Sequence, residues 1–402
     1  MPHKLASYFS RRIPIDHGKG CFLYDERGKE YLDCIAGWCV GSVGWGNEEI
    51  KKAIIAEAEF GRYVPAFLQF RGWEEFAKLL ITISPNPKLA RAIRCTSGSE
   101  AVEFAIKCAR AATGKQDIVS IDGVYHGHTY GAAAVGEACL RKGSGIDPCP
   151  SGFLKLPLPH PLRGPSESVV ITEFEKLVAT KKTIAAFLSE PVWTNAGAIV
   201  PSPSFYPTIE RICRKNNILF IMDEVATGFG HCGTLFASQL WGVKPDILCL
   251  GKAITGGYST LAATLITQSI YLRTFRMPSY VTFGWVPLDL AAARANVEII
   301  VRDRVWENAK YVGAYFLEKL QKFKDRKNVG DIRGVGLVLG IEIVKNKKNN
   351  APHIVKALFL QNACARRGLL LEVADNTLFM TPSLIFTKEL ADAAVAILDR
   401  VL

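Results

Sequence analysis

The sequence predicts an α/β fold: a large domain with a mainly parallel sheet covered by helices, plus a smaller C-terminal α+β domain. Three observations carry this. The chain has 402 residues, 49% of them hydrophobic, which exceeds one small core and suffices for two. Short apolar runs alternate with helical stretches, a pattern of parallel strands buried on both faces. A composition break near "PSYVTFGWVP" (278–287) separates this pattern from the C-terminal stretch. The expected division is an N-terminal segment 1–45 packed on the small domain, a large domain 46–286 and a small domain 287–402.

The elements run in order. "CFLYDERGKEYLD" (21–33) alternates apolar and polar residues around a Gly-Lys turn and reads as a hairpin. "AGWCVGSVGWGNEEI" (36–50) is rich in Gly and Trp and reads as loop. Over 99–112, Val102, Ala105, Ile106 and Ala109 share one helical face, and Gly114 stops the helix. Buried strands are expected in "DIVSI" (117–121), "AAFLSEPV" (185–192), "ILFIMDEV" (218–225), "DILCLGK" (246–252) and "LAATLIT" (261–267). "PSFYPTIERICRKNN" (203–217) is a helix between two of them. The stretch 148–165 holds six prolines and reads as an irregular surface segment. A long helical pattern (288–325), "VGDIRGVGLVLGIEIV" (329–344) and a further helix and strand complete the chain.

Composition excludes several functions. The formal net charge is +11, but the basic residues are scattered, and the one dense run, "KNKKNN" (345–350), reads as an exposed loop. A solvated basic surface therefore accounts for the charge better than a nucleic-acid partner. The 11 cysteines are odd in number, irregularly spaced and without a Cys-x-x-Cys, which argues against a disulfide framework or zinc ribbon. The first twenty residues lack the apolar region of a secretory signal. No apolar run reaches membrane-spanning length; the longest, 246–266, contains Lys252 and three glycines. The expectation is a soluble cytoplasmic protein without a membrane partner.

Four motifs carry chemistry. In "CTSGSEAVEF" (95–104), Ser97, Gly98 and Ser99 open a helix, where unpaired N–H groups suit an anion such as phosphate. The plain alternative is an ordinary N-cap. In "GVYHGHTYG" (123–131), Tyr125 can stack on a flat ligand at a strand's carboxyl end. His126 and His128 lack metal-site spacing, and His128 reads as a surface residue. Glu190 ends an apolar strand before a proline in "LSEPVWTNAG" (188–197). Asp223 and Lys252 each end an apparent buried strand and so face one rim of the sheet. A structural ion pair is the dull explanation for them.

One ligand accounts for the whole set: pyridoxal 5'-phosphate. It needs a lysine for a Schiff base, an acid against its ring nitrogen, a helix start for its phosphate and a flat partner for its ring.

With these residues the chain resembles the class III aminotransferases, of fold type I among pyridoxal-phosphate enzymes. The landmarks run in order: "SGSEA", "YHG", "EP", "DEVATGFG", "PDILCLGKAITGG", "TFG" and "RGVGLVLGIE". The resemblance implies that Lys252 forms the Schiff base and moves the proton, while Asp223 holds the ring nitrogen. It implies that Gly98 and Ser99 hold the phosphate and that Tyr125 and Val225 pack on the two ring faces. Ser97, His126 and Glu190 complete the cofactor-binding set. Thr282 would reach the phosphate in a neighbouring subunit, which implies a homodimer with sites at its interface. The implied substrates are an amine or amino acid and a keto acid or aldehyde.

Departures narrow this. The arginine with which many members grip a substrate carboxylate falls on Phe379, and its glutamate partner on Asn195. That disfavours a glutamate-shuttling enzyme. "NAG" (195–197) and "YHGH" (125–128) are similar to glutamate-1-semialdehyde aminomutase, whereas "TFGWVP" departs from the usual Gly-Asn-Pro. The usual "GFGRTG" is "GFGHCG", with His231 and Cys232. Trp38, Tyr63, Asn195 and Phe379 are the candidate substrate residues; Trp45 and Trp193 also suggest an apolar pocket, with core packing as the competing reading. The leading expectation is an aminotransferase; the alternatives are an aminomutase or racemase on the same cofactor, and a non-catalytic binding protein. "RGVGLVLG" (333–340) has the wrong glycine spacing for a dinucleotide site.

Overall fold

A computed structural model of the chain describes residues 13–137 and 149–402. Residues 1–12 of the expected N-terminal segment lie outside the described residues. The α/β expectation holds. The central sheet has seven strands in the order Leu89–Cys95, Ala262–Thr267, Ile247–Leu250, Leu219–Asp223, Ile184–Ser189, Asp117–Ile121 and Phe153–Leu156. The last five of these pair in parallel. Ala262–Thr267 runs antiparallel to both of its neighbours.

Helices cover both faces. Gly98–Thr113 buries Val102, Ala105, Ile106 and Ala109, the face the spacing predicts. Its end is set by Gly114, at φ 68°, where a side chain would be strained. On the other face, Phe205–Lys215 buries Phe205, Tyr206, Ile209 and Ile212. Phe187 and Phe220 of the sheet join the same core cluster.

Four expectations need correction. The proline-rich 148–165 is not wholly irregular: Phe153–Leu156 is the sheet's edge strand, with Pro150 and Pro157 outside its ladder. Within 36–50, a helix begins at Glu48, because Asn47 Oδ1 accepts from the N–H groups of Glu49 (3.0 Å) and Ile50 (3.2 Å). The 288–325 pattern is two helices, Pro287–Asp303 and Val305–Leu320, broken at Arg304, which has φ 48°. Ala262–Thr267, expected within the parallel pattern, is antiparallel; an apolar run carries no information on strand direction.

Two smaller sheets complete the fold. Val329–Val335, Val338–Ile343, Thr377–Met380 and Glu372–Ala374 form an antiparallel sheet near the C-terminus. The hairpin expected in 21–33 is present as Phe22–Asp25 and Glu30–Asp33. Glu30–Asp33 also pairs in parallel with Leu369–Leu370, so the N-terminal strands lie against the C-terminal part of the chain. Among the described residues no helix is long and apolar enough to cross a membrane.

Candidate active site

The carboxyl ends of the parallel strands form one rim, and the chemistry-bearing residues gather there. Asp223 is the last residue of Leu219–Asp223, Glu190 follows Ile184–Ser189, and Lys252 follows Ile247–Leu250 after one glycine. Lys252 has φ 44°, a left-handed conformation that bulky L residues rarely adopt. Asn296 holds the turn beyond it, donating to the carbonyls of Ala253 (2.7 Å) and Ile254 (3.2 Å).

These groups line one cavity of about 140 Å³. Lys252, Asp223, Glu190 and His126 supply its ionisable groups. Gly98, Ser99, Tyr125 and Val225 form further walls, and Trp38, Thr194 and Asn195 complete the lining together with Gly127 and Ala226. Larger hollows lie near Arg333 and along Lys319–Arg400, away from the strand ends.

Asp223 is bound from behind. His126 Nδ1 lies 2.7 Å from Asp223 Oδ2, and Asp223 Oδ1 accepts from the Val225 N–H at 3.0 Å. Both residues are buried. Among the described residues no ion pair joins Asp223 to Lys252, so the simple salt-bridge alternative fails. A buried carboxylate needs hydrogen-bond partners, and His126 and the Val225 N–H are those of Asp223. Glu190 accepts from the Thr194 hydroxyl (2.5 Å) and N–H (3.2 Å) and from the Tyr125 N–H (3.4 Å). Burial pushes its carboxyl above the ordinary range, against the opposing pull of His126 and Thr194.

The helix start has its own geometry. Ser97 caps it: the hydroxyl accepts from the Glu100 N–H at 3.2 Å, and the Glu100 carboxylate turns back to the Thr96 N–H at 2.7 Å. Ser97 is thus the plain N-cap and is not part of the cavity lining, whereas Gly98 and Ser99 are. The N–H groups of a first turn have no intrahelical partner. Gly98 has to be glycine, since a Cβ there would sit 2.7 Å from Val225 Cγ1. A Cβ on Gly251 would meet the same methyl at 3.2 Å. Tyr125 is oriented by His128, whose Nδ1 lies 2.7 Å from the phenol oxygen.

The remaining candidates divide. Asn195 lines the cavity and donates to Glu137 Oε1 at 3.2 Å. Trp38 also lines it, but Phe379 does not: it is fully buried, and its ring stacks on Trp38 at 4.8 Å. Tyr63 and Thr282 lie together outside this cavity, the tyrosine hydroxyl donating to the Thr282 carbonyl at 2.7 Å. Trp193 is core, and Trp45 donates to Asp33 at 2.8 Å. Sequence reasoning missed Thr194, Gly127 and Glu137. The glycine's φ of 131° and its closeness to Ser99 Oγ are properties of the folded loop alone.

His231, the unexplained departure, is fully buried, and neither ring nitrogen makes a hydrogen bond of ordinary geometry, although the Gly228 backbone comes close enough to favour a proton. Burial lowers its pKa to about 4; the Gly228 backbone opposes this, and the positive charge of Lys252 reinforces it. The folded state therefore keeps the ring neutral down to about pH 4, while the unfolded chain takes up a proton below about 6.5. Stability from this group is present above pH 6.5 and is lost as pH falls toward 4, by up to about 3 kcal/mol. His160, also held at about 4 chiefly by burial, adds loss in the same window. His231→Phe should flatten the fall in unfolding midpoint between pH 7 and pH 4.5. Identical falls in both proteins would refute this.

The arrangement fits pyridoxal 5'-phosphate. His126 lines the cavity with a buried Nε2 that has no partner, and Gly98 and Gly251 let the Val225 side chain close in as one wall beside the helix start. The donor set of amine, carboxylate, helix start and aromatic ring matches the molecule's aldehyde, ring nitrogen, phosphate and ring face.

Comparison with known proteins agrees. The family described as Aminotransferase class-III matches residues 6–402. An acetylornithine aminotransferase from Methanothermobacter thermautotrophicus is 34% identical over 99% of this chain and 96% of its own. An alanine/serine racemase from Pyrococcus horikoshii is 30% identical over 95% of this chain and 84% of its own. The crystal structure of an amine transaminase from an uncultivated Pseudomonas species, in its pyridoxal-phosphate-bound form, superposes with a TM-score of 0.93 at 29% identity. The match covers 99% of this chain and 97% of that one. The chain belongs to the class III aminotransferases, and it is a pyridoxal-phosphate-dependent aminotransferase.

Proposed function

We propose that this enzyme moves an amino group between an amine or amino-acid donor and a keto-acid or aldehyde acceptor, with Lys252 as the residue that attaches the cofactor and moves the proton. The observation that carries this is the meeting of Lys252 and Asp223 in one cavity with the Gly98–Ser99 helix start. When bound, pyridoxal phosphate supplies an electron sink for the carbon that loses its proton. The chain's own residues do the rest. Lys252 Nζ takes and returns that proton as a general base and acid. Asp223, oriented by His126, keeps a negative charge against the ring nitrogen. Gly98 and Ser99 hold the phosphate, while Tyr125 and Val225 confine the ring. Glu190 ties the loop carrying Thr194 to the loop carrying Tyr125.

Thr282 acts in the site of a second copy. The support is its position beside large exposed apolar side chains, Tyr63, Tyr280 and Phe283, which a partner subunit would cover. We assign the cytoplasm as its compartment, since the ten cysteines among the described residues are all free thiols. We also keep the division into 1–45, 46–286 and 287–402, supported by the pairing of Glu30–Asp33 with Leu369–Leu370.

The racemase relative favours a second reading, in which one amino acid is turned over without an acceptor. Nitrogen accounting separates the two. A panel of amines and amino acids is added singly, and the cofactor's absorbance and product are followed. Conversion limited to one equivalent per site until a keto acid is supplied supports the aminotransferase; continuous turnover of a single amino acid overturns it.

A further inference from the structure

Four consecutive residues, Ala36, Gly37, Trp38 and Cys39, have φ values of 44°, 65°, 68° and 61°. A left-handed turn crowds Cβ against the following carbonyl in every residue except glycine, so such a run persists only when its surroundings hold it. Two residues hold the backbone. Asp33 Oδ1 accepts from the N–H groups of Ile35 (2.9 Å) and Ala36 (3.0 Å). Thr381 Oγ1 accepts from the Cys39 N–H (3.3 Å) and donates to the Ile35 carbonyl (2.8 Å). A third residue holds the side chain. Phe379, fully buried two positions before Thr381, stacks on the Trp38 indole with the ring planes 29° apart. The indole lines the cavity that also holds Lys252.

We propose that Phe379 is a positioning residue: its ring braces Trp38 in this left-handed turn, and the braced indole selects amino substrates with a flat, uncharged substituent. The substrate class rests on the aminotransferase reading of the cavity; the bracing does not. An indole face gains most from a flat apolar group. No arginine among the described residues lines the cavity. Arg333, which reaches the Gly197 carbonyl (2.9 Å) behind the Asn195 loop, is committed to Asp331 and Glu342 and is not free for a substrate carboxylate. An arginine placed at 379 would replace the brace rather than enter the site.

The test compares the wild-type holoenzyme with Phe379→Leu in two measurements. The first is amide hydrogen exchange across residues 35–41. The second is the apparent affinity for benzylamine and for ethylamine, taken as KM or from spectral titration of the cofactor. Exchange at 38 and 39 should quicken about three- to tenfold, the factor an aromatic pair supplies. Benzylamine affinity should weaken by a similar factor, ethylamine affinity by less than about twofold, and kcat should change less than KM. Phe379→Met, which retains a sulfur–aromatic contact, should recover part of the loss. If Phe379→Leu does not fold, Trp38→Leu serves in its place and should weaken benzylamine binding alone. Unchanged exchange overturns the brace, and parallel weakening of both amines overturns the selectivity. Loss of the Lys252-dependent absorbance is a separate measurement, so failure of the underlying reading would be recognised as such.

Discussion

Lys252→Ala is expected to lower turnover by roughly 10⁴-fold or more and to abolish the visible absorbance that covalent attachment to the cofactor produces. Loss of general acid–base catalysis alone accounts for about 10²–10⁴ of this, and loss of the attachment point adds to it. The residue is replaceable without damage to the fold. Its backbone is left-handed, which alanine adopts no more easily than lysine, and the turn beyond it is held by Asn296, not by the lysine side chain. Circular dichroism and the unfolding midpoint should therefore stay near wild type while turnover collapses. An added primary amine should restore part of the activity if the missing group is a proton carrier. Normal turnover in the variant would end the assignment.

How much of this is legible in the sequence depends on the constraint each residue answers to. Strands and helices are readable where one periodicity dominates: "DIVSI" is the strand Asp117–Ile121, and the Val102–Ala109 face is the buried face of its helix. That Lys252 and Asp223 meet at one cavity is readable because each charge stands at the end of an apolar run and so at the same rim of the sheet. Direction is not readable. Ala262–Thr267 is buried throughout, and nothing in such a run distinguishes antiparallel from parallel neighbours. The break at Arg304 is hidden because helical spacing continues on both sides of it, and only its φ marks the junction.

The site shows the same limit at closer range. That Asp223 must have a partner follows from burying a charge, but the partner, His126, lies 97 positions earlier and meets it only through the fold. The resemblance puts Phe379 at the substrate, because an arginine stands there in many relatives. The structure instead sets Phe379 one side chain back: it touches Trp38, which lines the cavity, and not the cavity itself. A linear sequence carries residue type at each position, whereas a stack of two rings from opposite ends of the chain is a property of the fold.

The second large effect is expected at Asp223, where two substitutions separate charge from hydrogen bonding. Asp223→Asn keeps one oxygen to accept from the Val225 N–H and turns its amide N–H toward His126 Nδ1. A neutral imidazole can accept there in its other tautomer, so stability should stay close to wild type. The substitution removes the negative charge, and breaking a buried charge pair costs about 2–5 kcal/mol, or roughly 30- to 5,000-fold in kcat/KM. Asp223→Ala should lose as much activity and also destabilise the fold by about 1–3 kcal/mol, because His126 Nδ1 and the Val225 N–H both lose their partner. Steady-state kinetics and thermal unfolding on both variants check the pair of expectations. Turnover in Asp223→Asn within about threefold of wild type would mean that the carboxylate's charge is not used. The Asn variant unfolding as early as the Ala variant would mean that the His126 contact depends on an ionised acid. The first outcome would overturn the catalytic role and leave the structural one standing, since an uncharged amide can meet the hydrogen-bonding needs of His126 and Val225 but cannot hold a positive charge on a ring nitrogen.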